Sequence, residues 1–78
     1  MKVIKQLKVL SRVDALIRRK ATGTATQLAD RLQVSHRTAT RLLEELRWLD
    51  APIEYCSKRR TYYYSSAFDF GERLLKEL

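Results

Sequence analysis

The sequence contains few of the residues from which most catalytic and metal sites are built. It has one cysteine, Cys56, and one histidine, His36. A single cysteine excludes a disulfide within the chain and leaves no cysteine cluster that could bind a metal. No glycine-rich phosphate loop and no set of serine, histidine and acid can be argued from the residues. We therefore expect no enzyme, no metal and no cofactor.

Long apolar segments are also missing. No run of about 18 apolar residues occurs, and the apolar positions near the N-terminus are interrupted by Lys2, Lys5 and Lys8. Neither a signal peptide nor a membrane span is expected, so the protein is predicted to be cytoplasmic. Lysines at every third position would suit a membrane surface, but the apolar side of this segment is needed for the core.

Charge, by contrast, is strongly of one sign. The 78 residues include 16 Lys and Arg against 9 Asp and Glu, and the formal net charge is +7 at pH 7. A chain of this length forms one domain with a small core. The positive excess favours a polyanionic partner, and nucleic acid first. A basic surface without a specific partner is the alternative that composition leaves open.

Periodicity and capping residues predict four helices. The second begins at Thr24, where Gln27 stands at the capping-box spacing, and Ser35 can cap a third. Asp69 can cap a fourth, with Glu72 at its third position. The first covers residues 3–19, whose apolar stripe contains Val3, Leu7, Leu10, Val13 and Ile17.

A β-hairpin is predicted between the third and fourth helices. Pro52 prevents the helix from continuing, and "PIEYC" and "TYYYS" are rich in β-branched and aromatic residues around the loop "SKRR". We pair Cys56 with Thr61, which leaves Glu54 and Tyr63 pointing outward. The residues expected on the core side are then Ile53, Tyr55, Tyr62 and Tyr64.

The short second helix and the third, separated by three or four residues, have the pattern of a helix-turn-helix. In that motif the longer helix enters the major groove of DNA. There arginine can bind guanine O6 and N7, and threonine can contact the thymine methyl group. Short hydroxyl side chains at a helix start suit phosphate. The candidate DNA-binding residues of this helix are Ser35, His36, Arg37, Thr38, Thr40 and Arg41.

Each of these assignments has a plainer alternative. Ser35 could cap the helix without contacting DNA. Arg37 and Arg41 could simply form a solvated helix face. For His36 a role outside DNA contact is at least as good an interpretation. Thr24 and Thr26 are expected to support contact with the DNA backbone. The hairpin loop adds the cations Lys58, Arg59 and Arg60, which suit phosphate or minor-groove contact.

The stretch "TATQLADRLQVSHRTATRLLEELRWLDAPIEYCSKRRTYYY" resembles the winged helix-turn-helix domain of bacterial transcription regulators. It is most similar to the modules that precede sensor domains in WYL-type and DeoR-like regulators, and to the N-terminal domain of the biotin-ligase repressor. The shared features are a capped short helix ending in "LA-x-x-L-x-VS", "RT" opening the next helix, and "APIEY" leading into a tyrosine-rich hairpin. Gln33 and Asp50 stand where such domains often have glycine, and both can tolerate unusual backbone angles.

The resemblance implies an α+β, mostly α fold. Residues 1–66 would form the winged helix-turn-helix domain, with a three-helix core and a hairpin wing, and residues 67–78 a C-terminal helix for packing or dimerisation. The implied function is sequence-specific binding of double-stranded DNA in transcription regulation. Such domains usually continue into an effector-binding domain, so the chain is either a fragment of a larger regulator or a stand-alone one, with no small-molecule effector evident.

Two further expectations concern partners. A single small module contacts little DNA, so a homodimer is expected. Its interface would use Val9, Leu16 and the last helix, unless that helix simply packs onto the first within one chain. The alternative function is a winged helix that binds protein and has lost DNA binding, and RNA or single-stranded nucleic acid comes third.

Overall fold

The chain forms four helices and one antiparallel hairpin in the predicted order. The computed structural model describes the backbone of residues 2–77 and the side chains of residues 7–76. Predictions for the side chains of Lys2, Val3 and Lys5 lie outside the described residues. The elements are α1 (Lys2–Arg18), α2 (Ala25–Leu32), α3 (His36–Trp48), β1 (Ile53–Cys56), β2 (Thr61–Tyr64) and α4 (Phe70–Glu77).

Side-chain caps fix where α2, α3 and α4 begin. The Thr24 hydroxyl accepts a hydrogen bond from the Gln27 N–H, while the Gln27 side chain accepts one from the Thr24 N–H, so the predicted capping box is confirmed. Ser35 caps α3 as predicted. At the start of α4, Asp69 accepts from the Glu72 N–H at 2.9 Å. Each cap satisfies a backbone donor that the helix itself leaves unpaired.

The core lies between α1, α2 and α3, with β1 closing one side. The largest fully buried apolar side chains are Val13 and Ile17 from α1, Leu28 from α2 and Leu46 from α3. The wide apolar stripe of α1 is used within the chain, because Val9 and Leu16 pack against this core. Phe68 and Phe70, at the start of α4, also pack against it. The molecule is therefore a small, mostly helical α+β fold built on one apolar cluster.

The hairpin has the predicted register. Ile53 pairs with Tyr64, and Cys56 pairs with Thr61. Tyr62 and Tyr64 are half-buried and pack against the core, as expected. The prediction for Tyr55 was wrong, because its side chain is 42% exposed. Tyr55 lies further along the hairpin than the buried Ile53, and its ring contacts Tyr62 edge-on with centroids 4.9 Å apart instead of reaching the helices.

The loop between α1 and α2 lies beside β2 and buries Thr61. The Thr22 hydroxyl accepts a hydrogen bond of 2.8 Å from the Tyr62 N–H. The hydroxyl oxygens of Thr22 and Thr61 are 3.0 Å apart. Thr61, which the strand alternation placed on the outer side, is consequently only 3% exposed. The Thr22 hydroxyl thus pairs with a backbone N–H of β2 that a third strand would otherwise bind.

Left-handed backbone conformations end α2 and follow α3. Gln33 has a φ of 57° and Asp50 a φ of 66°, which agrees with the expectation that both accept unusual backbone angles. Asp50 also forms an exposed ion pair with the last helix, since its carboxylate lies 2.9 Å from the Arg73 guanidinium. Within the described part of the chain, no helix has the length and apolar character needed to cross a membrane.

Candidate nucleic-acid interface

The start of α3 is held by a two-way contact between Ser35 and Thr38. Ser35 Oγ accepts the Thr38 N–H at 3.1 Å, and the same hydroxyl donates to Thr38 Oγ1 at 3.0 Å. The capping role of Ser35 is therefore present in the structure. Ser35 is exposed and Thr38 is half-exposed, so both hydroxyls lie near solvent at the positive end of the helix dipole.

Five of the six residues predicted for this helix lie together. They line one shallow groove along the outer face of α3, and a sixth residue, Glu44, completes its wall. The five are His36, Arg37, Thr38, Thr40 and Arg41. Their grouping follows from helix geometry, since positions three and four residues apart share a face. Ser35 caps the same helix just before this groove.

Thr40 has a narrower chemical role than the sequence indicated. Its hydroxyl donates a hydrogen bond of 3.1 Å to the backbone carbonyl of His36. The hydroxyl hydrogen is therefore used within the helix, which leaves an acceptor oxygen and a methyl group for any ligand. Donation to a base edge would require this bond to break.

The two arginines of the groove have their charge available. Both side chains are exposed, and neither Arg37 nor Arg41 forms a salt bridge with another side chain that the structure describes. A guanidinium carries five N–H donors in a planar fork, which matches a phosphate or the O6 and N7 atoms of guanine. The groove thus presents two uncommitted forks that are four residues apart on one helix face.

Glu44 is the functional candidate that sequence reasoning passed over. It lies on the outer side of α3, three residues after Arg41, and it is exposed. Within residues 7–76 its carboxylate has no ion-pair partner. A carboxylate accepts hydrogen bonds and repels phosphate, so its chemistry differs from that of the two arginines beside it. Its helical spacing from Arg37 and Arg41 was the signal that could have identified it.

The loop cations do not join the groove on α3. Lys58, Arg59 and Arg60 are all exposed in the turn between β1 and β2, and Arg60 has a left-handed φ of 51°. Arg59 instead lines a smaller cleft together with Lys20, a residue that the sequence did not single out. No local pattern marks Lys20, because only the fold brings the end of α1 beside the hairpin.

Thr24 and Thr26 lie at the start of α2 and not in the groove on α3. The Thr24 hydroxyl is occupied by the cap, where it accepts the Gln27 N–H at 3.2 Å. Thr26 is exposed in the first turn of α2. Together they form a second polar helix start, separate from that of Ser35.

The potential metal ligands among the described residues do not cluster. In residues 7–76, no three side chains of His, Cys, Asp or Glu come together as a metal-binding group. His36 and Glu44 share the groove but lack a third ligand.

Comparison of the chain with protein-family models, with curated proteins and with solved structures gives no match. The assignment of function therefore depends on the residues and their geometry.

Proposed function

We propose that the chain is a non-enzymatic, cytoplasmic winged helix-turn-helix domain that binds double-stranded DNA sequence-specifically as a transcriptional regulator. One observation carries the proposal. Arg37 and Arg41 line a single exposed groove with His36, Thr38 and Thr40, on a capped helix in a chain of net charge +7. A surface of this kind suits the major groove, which is wide enough to admit an α-helix.

In the proposed complex α3 is the recognition helix. Arg37 and Arg41 read guanine edges, while the methyl group of Thr40 meets a thymine methyl. Thr38 donates its hydroxyl hydrogen to a backbone phosphate at the helix start, where the dipole favours an anion, and Ser35 holds Thr38 in place by its own hydrogen bond. The shorter α2 crosses the phosphate backbone and uses Thr26 at its exposed first turn.

Glu44 supplies discrimination in the same complex. Its position in the groove wall turns the carboxylate toward base edges, where the cytosine N4 amino group is a donor. The β1–β2 loop acts as the wing and places Lys58, Arg59 and Arg60 near backbone phosphates or the minor groove. The cations bind DNA of any sequence, and the base-facing groups choose among sequences.

We also propose that two copies bind together. A single small module covers about 600–1,000 Å² in contact with DNA, and a dimer would read two half-sites. Val9 and Leu16 are occupied within the chain, whereas Leu75 on α4 is 71% exposed. The dimer is therefore assigned to the outer face of α4. Sedimentation of the protein with and without a bound duplex measures this stoichiometry.

The competing function is a protein-binding module, and one observation favours it. Trp48 is 85% exposed at the end of α3, on the same outer side as Arg41 and Glu44. Exposed tryptophan is enriched at the centres of protein interfaces. Such a module would not bind DNA, so a single titration separates the two functions.

The deciding experiment titrates a random-sequence duplex at two salt concentrations with the wild type and the double variant Arg37→Ala/Arg41→Ala. The matched control is Lys8→Ala/Arg19→Ala, which removes the same charge from exposed positions on or just after α1. We expect salt-dependent binding that the groove variant weakens far more than the control does. Binding that ignores salt, or that both double variants weaken equally, would contradict the proposal. Tighter binding to a single strand would favour the RNA or single-strand alternative.

A further inference from the structure

A cleft beside the hairpin forms a second site, apart from the groove on α3. It is lined by Lys20, Cys56, Arg59, Thr61 and Tyr63, which we name the hairpin cleft, and it encloses about 140 Å³. Cys56, Thr61 and Tyr63 belong to the strand face opposite the one that carries Ile53 and Tyr64, as the pairing register requires. The cleft therefore opens on the side of the hairpin that does not pack on the core.

The lining of the hairpin cleft is cationic. Lys20 and Arg59 contribute two positive charges, and no carboxylate is among the described residues that line it. The nearest acidic residue along the hairpin is the exposed Glu54, which pairs with Tyr63 on the same strand face. Thr61 is already engaged, because its hydroxyl donates to the Tyr62 carbonyl at 3.1 Å and lies beside Thr22. The hydroxyl of the half-buried Tyr63 remains as a neutral donor. An anion at the cleft would be attracted by both charges.

The backbone at Lys20 supports a role for its side chain. Lys20 has a left-handed φ of 55°, where its N–H donates to the Ile17 carbonyl at 3.0 Å and ends α1. Helices commonly end with glycine at such a position, because glycine has no Cβ to clash. Lysine is unfavourable there on backbone grounds, so what distinguishes it from glycine is a cationic side chain beside the cleft.

We propose that the hairpin cleft binds a phosphate group. Arg59 supplies a planar fork that matches two phosphate oxygens, Lys20 supplies a point charge, and Tyr63 supplies an O–H donor. The phosphate could come from a DNA backbone beside the hairpin or from a free phosphate ion. The first source rests on the proposed function, whereas the second does not. Both present the same chemistry to the cleft.

Cys56 makes the site measurable, because it is the only cysteine of the chain and lies half-buried in the cleft. The experiment follows alkylation of Cys56 by iodoacetamide, a neutral reagent, in the folded protein. The probes are inorganic phosphate, chloride at equal ionic strength, and a random-sequence duplex whose binding is measured separately by fluorescence anisotropy. Bound phosphate should slow alkylation saturably, roughly tenfold at ten times its Kd, and chloride should not.

Three variants show whether the cations cause the protection. Lys20→Gly removes the ammonium group at a position where the backbone suits glycine, so the fold is retained. Arg59→Ala removes the fork in an exposed loop. Lys8→Ala removes one charge from an exposed position on α1 and serves as the control. Protection should be lost in the two cleft variants and kept in the control.

Each outcome decides the proposal. Protection by phosphate alone assigns the site to a free anion, and protection by the duplex alone assigns it to the DNA backbone. If neither probe protects Cys56, or if protection is equal in Lys20→Gly, Arg59→Ala and the wild type, the proposal is wrong. DNA binding by anisotropy without protection removes the cleft site and leaves the proposed function standing. Protection by phosphate without any DNA binding leaves the cleft site standing and removes the proposed function.

Discussion

The Tyr64 hydroxyl donates a hydrogen bond of 2.7 Å to Oδ1 of Asp14 and so joins β2 to α1. The other carboxylate oxygen accepts from Arg18 Nε at 3.1 Å. Asp14 is only 4% exposed, so these bonds replace water around a buried charge, which would be strongly unfavourable if left unpaired. The hairpin is held to the helical core by this polar contact as well as by apolar packing.

Replacing Tyr64 with phenylalanine should destabilise the protein. Tyr64→Phe keeps the ring but removes a donor to the buried Asp14 carboxylate, at a cost of about 1–3 kcal/mol in the free energy of unfolding. Chemical denaturation measures the loss. Tyr63→Phe is the matched control, because Tyr63 is half-buried and does not belong to the apolar cluster of the core. Equal stability of the two variants would show that the bond to Asp14 contributes nothing.

The same contact predicts a pH dependence at alkaline pH. Burial, followed by the hydrogen bond to Asp14, raises the pKa of Tyr64 well above its ordinary value. Because the unfolded chain would lose this proton near pH 10 and the folded chain would not, the free energy of unfolding should fall as the pH rises above about 10. Below that pH the contribution is fully present. Denaturation curves between pH 8 and pH 11 should show a steeper fall for the wild type than for Tyr64→Phe, and parallel curves would contradict this account.

Glu44→Gln tests discrimination in the groove on α3. Removing the carboxylate should raise the affinity for random-sequence DNA, since one source of phosphate repulsion disappears. Preference for the selected site should fall by about 1–3 kcal/mol at one base pair. Selection from a random-sequence library, followed by titration of the best and mismatched duplexes, measures both effects. Glu72→Gln on α4 makes the same change in charge at an ion-paired position, and a base preference altered equally in both variants would argue against a specific role for Glu44.

Lys20→Gly should stabilise the fold even though it should weaken phosphate binding at the hairpin cleft. The left-handed φ of 55° is unfavourable for lysine by about 1–2 kcal/mol. Glycine removes this cost, but it loses more backbone entropy on folding, which offsets about half of the gain. We expect a net increase of about 0.5–1 kcal/mol in the free energy of unfolding, measured without phosphate. Lys8→Gly is the control, because the same replacement inside α1 should lower stability by about 1 kcal/mol. A loss of stability in both variants would mean that the lysine side chain itself holds the end of α1.

What could be predicted from the sequence was set by local interactions. Thr24, Ser35 and Asp69 each cap a helix through a partner three residues away, so short spacing was sufficient. The pairing of Cys56 with Thr61 followed from strand alternation and a short loop. The exposure of Tyr55 could not be predicted, because it depends on how far the hairpin extends past the helices.

The candidate site divides in the same way. Helix periodicity alone places the groove residues on the outer face of α3, while Ala39 points into the core. These residues are His36, Arg37, Thr38, Thr40 and Arg41. The hairpin cleft joins Lys20 to Arg59 across 39 positions of sequence (59 − 20). Only the packing of α1 against β2 brings these two cations together, and no spacing rule records it.

The bonds from Thr22 to β2 also determine how the hairpin can meet another chain. By taking the Tyr62 N–H at 2.8 Å, Thr22 engages one backbone donor on the outer edge of β2, where a foreign strand would otherwise add. The strand β1 is four residues long and follows directly after Pro52. Short edges that begin at proline are poor templates for further pairing. The short hairpin is consequently a poor template for edge-to-edge aggregation.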